Sequence, residues 1–417
     1  MTRARIMPFV ALEGSTLLAG LANGVSMVAL PWLVLDLTGR ADAAGLVALV
    51  SGVPTLFASL FSGTIVDTVG RRRTSVFSDL MSAVAVAAIP IVALTTGLTF
   101  TWVLVLAVLG AVFDPAGVTA RESMLTGVSR ATGMRLERVN GIHEAVWGLA
   151  FLVGPAVGAG LIATIGVESA FWAMAVAFVA SAVLLAFVHV PGAGRPHYED
   201  RPYFWSGTLD GLKLVFGDAP LRTVVLLSTG VVGIAYPVIG IVLPVIYQAE
   251  DNPVGLGAIV MAFSFGGVIG ALLYSSFGHH SHPRGTFAVA LWGAALSLVV
   301  FAIWPETGVM IAAGFAGGIL LGPMNPIINL ALQRRTPESM RGRAMGVVTA
   351  LAYGIYPIGY VLAGILVETF GVPAALGVFA GAAVLLAILA SVAQTLKRLD
   401  ERPVVEPLVE QSVRTAV

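Results

Sequence analysis

The chain has no cysteine in 417 residues. That excludes a disulfide scaffold, an iron–sulfur cluster, a Cys-ligated zinc and a thiol nucleophile. Charge is also scarce. Only 11% of residues are Asp, Glu, Lys or Arg, against about a quarter in a soluble domain. The 23 basic and 23 acidic residues cancel, so there is no electrostatic footprint for nucleic acid. Lysine is nearly missing, with Lys213 and Lys397 alone, and neither sits in a G-x-x-x-x-G-K-[ST] phosphate loop. ATP-driven machinery of that kind is therefore excluded. No H-E-x-x-H run and no nucleophile–base constellation occurs, so an enzyme is not expected. What is abundant is apolar: 57% hydrophobic residues and a mean hydropathy of +0.92. A soluble fold could not cover such a core with polar surface, so the chain reads as an integral membrane protein.

A bilayer-crossing helix needs about 20 apolar residues. Such runs lie near 8–35, 44–66, 75–96, 100–120, 140–165 and 168–190, and again near 221–247, 255–277, 285–304, 308–331, 345–370 and 373–396. Continuous apolarity, rather than alternation, makes them helices and not barrel strands. The first run is too long for a signal peptide, lacks an A-x-A-like cleavage site and leads straight into the second, so it is expected to stay. With the N-terminus inside, 22 of the 23 basic residues fall in inner segments and only Arg40 lies outside. This asymmetry predicts both termini on the cytoplasmic side.

The expected domains are a six-helix bundle over 1–190, a linker over 191–220 and a second six-helix bundle over 221–396, with a tail over 397–417. The linker's Phe204–Phe216 stretch reads as a short amphipathic helix on the inner surface. A shift of 205 residues places Arg138 on Arg343, Gly141 on Gly346, Gly154 on Gly359 and Gly166-Val167 on Gly371-Val372. The fifth and eleventh spans then correspond, as in parallel repeats about an axis normal to the membrane. The predicted fold is all-α, twelve transmembrane helices in two bundles related by a pseudo-two-fold.

Between spans two and three stands Gly63-Thr64-Ile65-Val66-Asp67-Thr68-Val69-Gly70-Arg71-Arg72-Arg73. Gly63 lets a helix approach and Asp67 can pair with an Arg or a helix N-terminus. Gly70 permits a tight turn, and Arg71, Arg72 and Arg73 hold headgroups. The run resembles the loop motif G-x-x-x-D-R/K-x-G-R-R/K of the major facilitator superfamily, with Thr68 in place of a basic residue. The second-half counterpart, Gly278 to Gly285, keeps only His279, His280, His282 and Arg284, and reads as a solvated basic loop rather than a metal site. In span five, Gly141, Gly154, Pro155 and Gly158 resemble the superfamily's antiporter motif, with Ala150 and Ala159 replacing two glycines. Phe113-Asp114-Pro115-Ala116, Arg138-Val139-Asn140-Gly141, and Gln333 with Pro337, Arg341, Gly342 and Arg343 are similar to drug:proton antiporters of the macrolide-efflux and Tap-like type. So is Val28 to Leu35 in span one. The similarity runs from about residue 10 to 395. Arginine outnumbers lysine 21 to 2, which fits GC-rich coding and the actinobacterial members of that group. The usual span-four arginine is absent, and Asp114 and Arg121 stand near the inner end instead.

Each ionised group at a helix centre costs about 2.5–3.5 kcal/mol on insertion scales. Glu13 heads a stripe with Thr16, Gly20, Asn23 and Met27 on one helix face. It is either a cavity carboxylate, protonated from outside and discharged inside, or a snorkelling headgroup residue. Glu144 shares a face with Trp147, Phe151, Gly154 and Gly158; it either carries a proton or pairs with Arg121 or Arg138. Asp79 and Asp114 are expected in an inner gate network with Arg71 to Arg73 and Arg121. His143 and His189 are expected at the interface. Asn325, Asn329 and Gln333 form a polar stripe in span ten; Tyr353, Tyr356 and Tyr360 form one in span eleven, and Tyr236 precedes Pro237. With Asn23, Met27 and Trp147, these are the candidate cavity residues.

The resemblance implies proton-coupled efflux of several antibiotics by alternating access, from the bacterial cytoplasmic membrane. The expected partners are drugs, protons and the bilayer, with no cofactor, metal or nucleic acid, and the chain is expected to act as a monomer. The alternative reading is a proton-coupled nutrient or metabolite transporter; a non-transporting receptor would leave the buried carboxylates without a purpose.

Overall fold

The computed structural model describes residues 3–186, 204–277, 282–303, 306–337 and 340–399, and among them there is no strand. The first half consists of α1 (Arg3–Thr38), α2 (Ala41–Val69), α3 (Arg71–Thr95), α4 (Phe100–Thr132), α5 (Leu136–Ile165) and α6 (Val167–Ala186). A short helix, α7 (Phe204–Gly217), precedes the second half. That half begins with α8 (Ala219–Pro237), a π-helical segment (Val238–Val242) and α9 (Leu243–Ala249), which together make one crossing. It continues through α10 (Pro253–Phe277), α11 (Pro283–Ile303), α12 (Thr307–Leu321) with α13 (Met324–Arg335), and α14 (Arg341–Val392). The last is two crossings joined at Gly371, whose φ of 81° breaks the helix. Twelve apolar crossings result, as the hydropathy pattern predicts.

Local chemistry explains where helices start and bend. Asp218 caps α8 by accepting from the Leu221 N–H at 2.8 Å, and Asn252 caps α10 through the Gly255 N–H. Each satisfies a donor with no intrahelical partner. Pro244 has no N–H to give the carbonyl four residues back, and the π segment lies just before it. The fourth helix runs past its expected end at 120 to Thr132, where Gly133 closes it at φ 71°. At 1.5 Å per residue it is about 50 Å long, so it projects well beyond a hydrocarbon core of about 30 Å.

The repeat has a physical counterpart in two glycine seams. A β-carbon on Gly154 would lie 2.7 Å from the Gly24 Cα, so α1 and α5 touch backbone to backbone. In the second half, a β-carbon on Gly359 would lie 2.5 Å from the Gly233 carbonyl oxygen, bringing α8 and α14 equally close. The matched turns agree as well, since Gly166 and Gly371 both have positive φ.

Contacts between halves gather at the end away from the termini. Gly45 meets the Tyr360 backbone, Gly364 meets Ala41 and Asp42, and Gly257 meets Ala159. The Glu368 carboxylate accepts from the Ala41 N–H at 3.2 Å, capping α2 from the opposite half. At the arginine-rich end the halves part, and Phe57 and Phe61 of α2 and Met345 and Tyr353 of α14 are exposed. There α7 lies along α14, with Asp210 bound to Arg343 at 3.1 Å.

A leucine at Gly154 or Gly359 has no room, and overpacking costs about 1–3 kcal/mol. Gly154→Leu and Gly359→Leu are each expected to lower the thermal unfolding midpoint of the detergent-purified protein. Gly141→Leu, with nothing within 4 Å of its added carbon, should leave the midpoint unchanged.

Candidate functional site

The first half holds most of the buried polar side chains. At their centre, Arg121 of α4 donates to Asp79 of α3 at 2.8 Å, and both side chains are essentially sealed from solvent. The other Asp79 oxygen accepts from Ser181 of α6 at 2.6 Å, and Ser181 lies 2.7 Å from Ser15 of α1. Three helices thus meet on one carboxylate, and α1 joins them through Ser181. Expected in a gate with Arg121, Asp79 does pair with it. Gly70 forms the tight turn at φ 100°. Gly63 and Asp67 belong to α2, and their surroundings lie outside the described residues, as do His189, His279 and His280.

Glu13 is neither a cavity carboxylate nor a snorkelling one. It is 7% exposed, and both its oxygens lie 3.2–3.3 Å from Nδ1 of His143 on α5. His143, expected at the interface, is itself buried. The reason is the α1–α5 seam: Gly20 packs on Trp147 and Ala150, and Gly158 packs on Val25. Glu13 and Gly20 therefore face α5, and the seam's close approach carries Glu13 and His143 together. Thr16 is also buried, donating to the Leu12 carbonyl.

Asp114 is half-buried and accepts from the Asn23 amide at 3.1 Å, and Arg121 and Asp79 act on it electrostatically. The neighbouring Phe113 carbonyl accepts from Ser78. Fourteen residues separate Asp114 from the start of α4, roughly 21 Å at 1.5 Å per residue, which puts it near the middle of the helix. Glu144 is exposed, and Arg121 is committed to Asp79 instead of to it. Glu122, exposed on α4, interacts electrostatically with His143, Glu144 and Arg121, and no motif in the sequence marks it.

Across the opening stands an aromatic group from the second half. Tyr236 and Tyr356 have ring centroids 4.6 Å apart, and Tyr353 meets Tyr356 edge-on at 5.8 Å. The charges of Asp114 and Glu122 reach Tyr353. Trp147 stacks on Phe151 at 5.5 Å, and Met27 is half-buried. On α13, Asn325 and Asn329 are exposed while Ile327, Ile328, Ala331 and Leu332 are buried, so the polar stripe turns away from the packed core. Such a surface offers carboxylates, amides and re-orientable rings, which suits binding of varied organic molecules. Among the described residues no His, Asp or Glu group is arranged to hold a metal ion.

The sequence model of the Major Facilitator Superfamily matches residues 13–251 and 225–413. Multidrug efflux pump Tap of Mycobacterium tuberculosis is 39% identical over 393 residues, covering 93% of this chain and 94% of that protein. Multidrug efflux pump Tap of Mycolicibacterium fortuitum is 36% identical over 407 residues, covering 96% and 99%. Macrolide efflux protein A of Streptococcus pyogenes is 20% identical over 359 residues, covering 84% and 87%. In three dimensions the chain is similar to the nucleoside transporter NupG, with a TM-score of 0.71 and 14% identity over 92% of this chain and 98% of that one. It is also similar to a bacterial homolog of the human lysosomal transporter Spinster, in an inward-facing and unoccupied conformation. There the TM-score is 0.66 with 15% identity over 96% of each chain.

Removing one partner of a buried ion pair leaves an uncompensated charge, at a cost of about 3–5 kcal/mol. Asp79→Asn and Arg121→Met are each expected to reduce the yield and unfolding midpoint sharply. The double variant Asp79→Leu/Arg121→Met should recover most of the loss, measured by fluorescence-detected size exclusion and thermal unfolding.

Proposed function

The chain belongs to the Major Facilitator Superfamily and is a multi-pass membrane transporter, and from that premise we propose that it exports several drugs from the bacterial cytoplasm in exchange for protons. The observation that carries the reading is the 39% identity to multidrug efflux pump Tap along 93% of the chain. Likeness to a nucleoside transporter at 14% identity speaks for the fold alone, so the nutrient-transporter alternative has no comparable support.

Placing the arginine-rich end and both termini in the cytoplasm makes this structure inward-open. Drug enters from the cytoplasm between Asn23, Met27, Asp114 and Trp147 of the first half and Tyr236, Asn325, Asn329, Tyr353 and Tyr356 of the second. The halves, residues 1–190 and 221–396, then rock about the α2–α14 and α5–α10 contacts. That motion breaks the Glu368 cap on α2 and closes the end carrying Gly63, Asp67 and Arg71 to Arg73. Protons re-enter through the buried carboxylates, Glu13 foremost, with Asp114 and Glu144 nearer the opening and Asp79 held in its ion pair. A single chain contains every part of this cycle, and the monomer is the working unit.

Expressed in an efflux-deficient bacterium, the protein is expected to raise tolerance to erythromycin and tetracycline. In proteoliposomes under an imposed pH gradient, adding either drug should release protons. Glu13→Gln should lose both effects at unchanged membrane expression. Drug tolerance without any drug-dependent proton movement would remove antiport, and a lack of tolerance to every drug tried would remove efflux.

A further inference from the structure

The sequence alone gave His143 no part in transport, and its placement changes that. Its Nδ1 lies 3.3 Å from Oε1 and 3.2 Å from Oε2 of Glu13, within a pair whose residues are 7% and 2% exposed. Its Nε2 is buried with no hydrogen-bond partner among the described residues. We propose that Glu13 and His143 act as one proton-carrying dyad, in which His143 both orients Glu13 and shares the transported proton. This rests on the antiport reading and names the group that carries its proton.

The tautomer follows from the contact. A bare Nδ1 lone pair facing two carboxylate oxygens would be repelled, so Nδ1 carries the hydrogen whenever Glu13 is ionised. In a neutral ring Nε2 is then the bare nitrogen. That state holds a buried net charge of −1 and an unmet acceptor, both unfavourable in an apolar interior. One proton, accepted at Nε2, forms one N–H bond and turns the ring into an imidazolium paired with the carboxylate, with net charge zero. A second proton would leave a buried net positive charge. The dyad therefore takes up one proton and gives one back.

The surroundings separate this pair from the other acids. Glu122 of α4 interacts electrostatically with His143, and also with Arg121 and with Glu144 of α5. Asp79 of α3 lies beyond the Ser15–Ser181 link. Asp79 is paired with Arg121, and Asp114 is met by a neutral amide that cannot take a proton from it. Glu13 with His143 is the one buried carboxylate–imidazole contact among the described residues. It also bridges α1 and α5 at the foot of their glycine seam, where a change of charge bears directly on helix packing.

The test uses full-length protein in nanodiscs with 15N-labelled histidine, His143 being assigned by the signal lost in His143→Gln. The expected ring carries its hydrogen on Nδ1 at high pH and becomes imidazolium as pH falls. Glu13→Gln should move that transition by more than about one pH unit, the scale of a neighbouring carboxylate's effect. A ring with its hydrogen on Nε2 at high pH, or a transition that Glu13→Gln leaves in place, overturns the dyad. Proton release on adding erythromycin is then compared in wild type, Glu13→Gln, His143→Gln, His143→Asn and the Glu13→Gln/His143→Gln pair, each checked for an intact unfolding transition. Loss of release in every single variant, with the pair no worse than either of its members, supports the dyad. Wild-type release from a folded His143→Gln or His143→Asn overturns it while leaving antiport standing. No release from wild type overturns antiport, and the dyad's role in transport falls with it.

Discussion

Arg121 is completely buried in a helix that crosses a bilayer, and its charge has to be met inside the protein. That requirement constrains much of the first half. Asp79 must come from α3 to meet the guanidinium, and its second oxygen must be filled, which brings Ser181 of α6 and, through it, Ser15 of α1. Three crossings are thereby fixed around the fourth. A buried pair of this kind is weak evidence of net stability. What it supplies is register, because sliding any one of the helices by a residue would strand a charge.

Around this polar knot the packing is made by glycine. Without a hydrophobic force between helices in lipid, close approach and dispersion do the work, and Gly24 with Gly154 lets α1 and α5 touch along their backbones. The same contact recurs as Gly233 with Gly359 in the other half, so the two bundles share a framework. They do not share chemistry. Glu13, Asp79, Asp114, Arg121 and His143 all belong to the first half, whereas the second presents tyrosines and the exposed amides of Asn325 and Asn329. One half carries the fully buried charged residues and the other offers adaptable surface.

The fold was legible because it rests on properties local to the chain: span length, arginine placement, and a 205-residue repeat that put Gly371 where Gly166 lies. Partner choice was not legible for the same reason. The spacing of Glu13, Thr16, Gly20, Asn23 and Met27 puts them on one face of α1, but spacing cannot say which helix that face meets. It meets α5 for Glu13 and Gly20 and α4 for Asn23, so a stripe assigned to the cavity is mostly a packing seam. A signal for His143 did exist. It extends the series Trp147, Ala150, Gly154 and Gly158 by one turn, and that series is the α5 side of the seam. The full length of α4 was not legible either, because its apolar run ends near 120 while the helix continues twelve residues further.

These placements give coupling a short path on the antiport reading. Glu13 and Asn23 lie on the same helix, ten residues or about 15 Å apart. Glu13 is fixed to α5 through His143, and Asn23 is fixed to α4 through Asp114. Helix α1 is pressed against α5 by glycines that leave no slack, so it moves as a rod. A change in the charge of the Glu13–His143 pair alters the force at one end of that rod, and the Asn23–Asp114 contact lies further along it. Proton and drug then need no shared residue to exclude one another; they need only act on the same helix from two depths in the membrane.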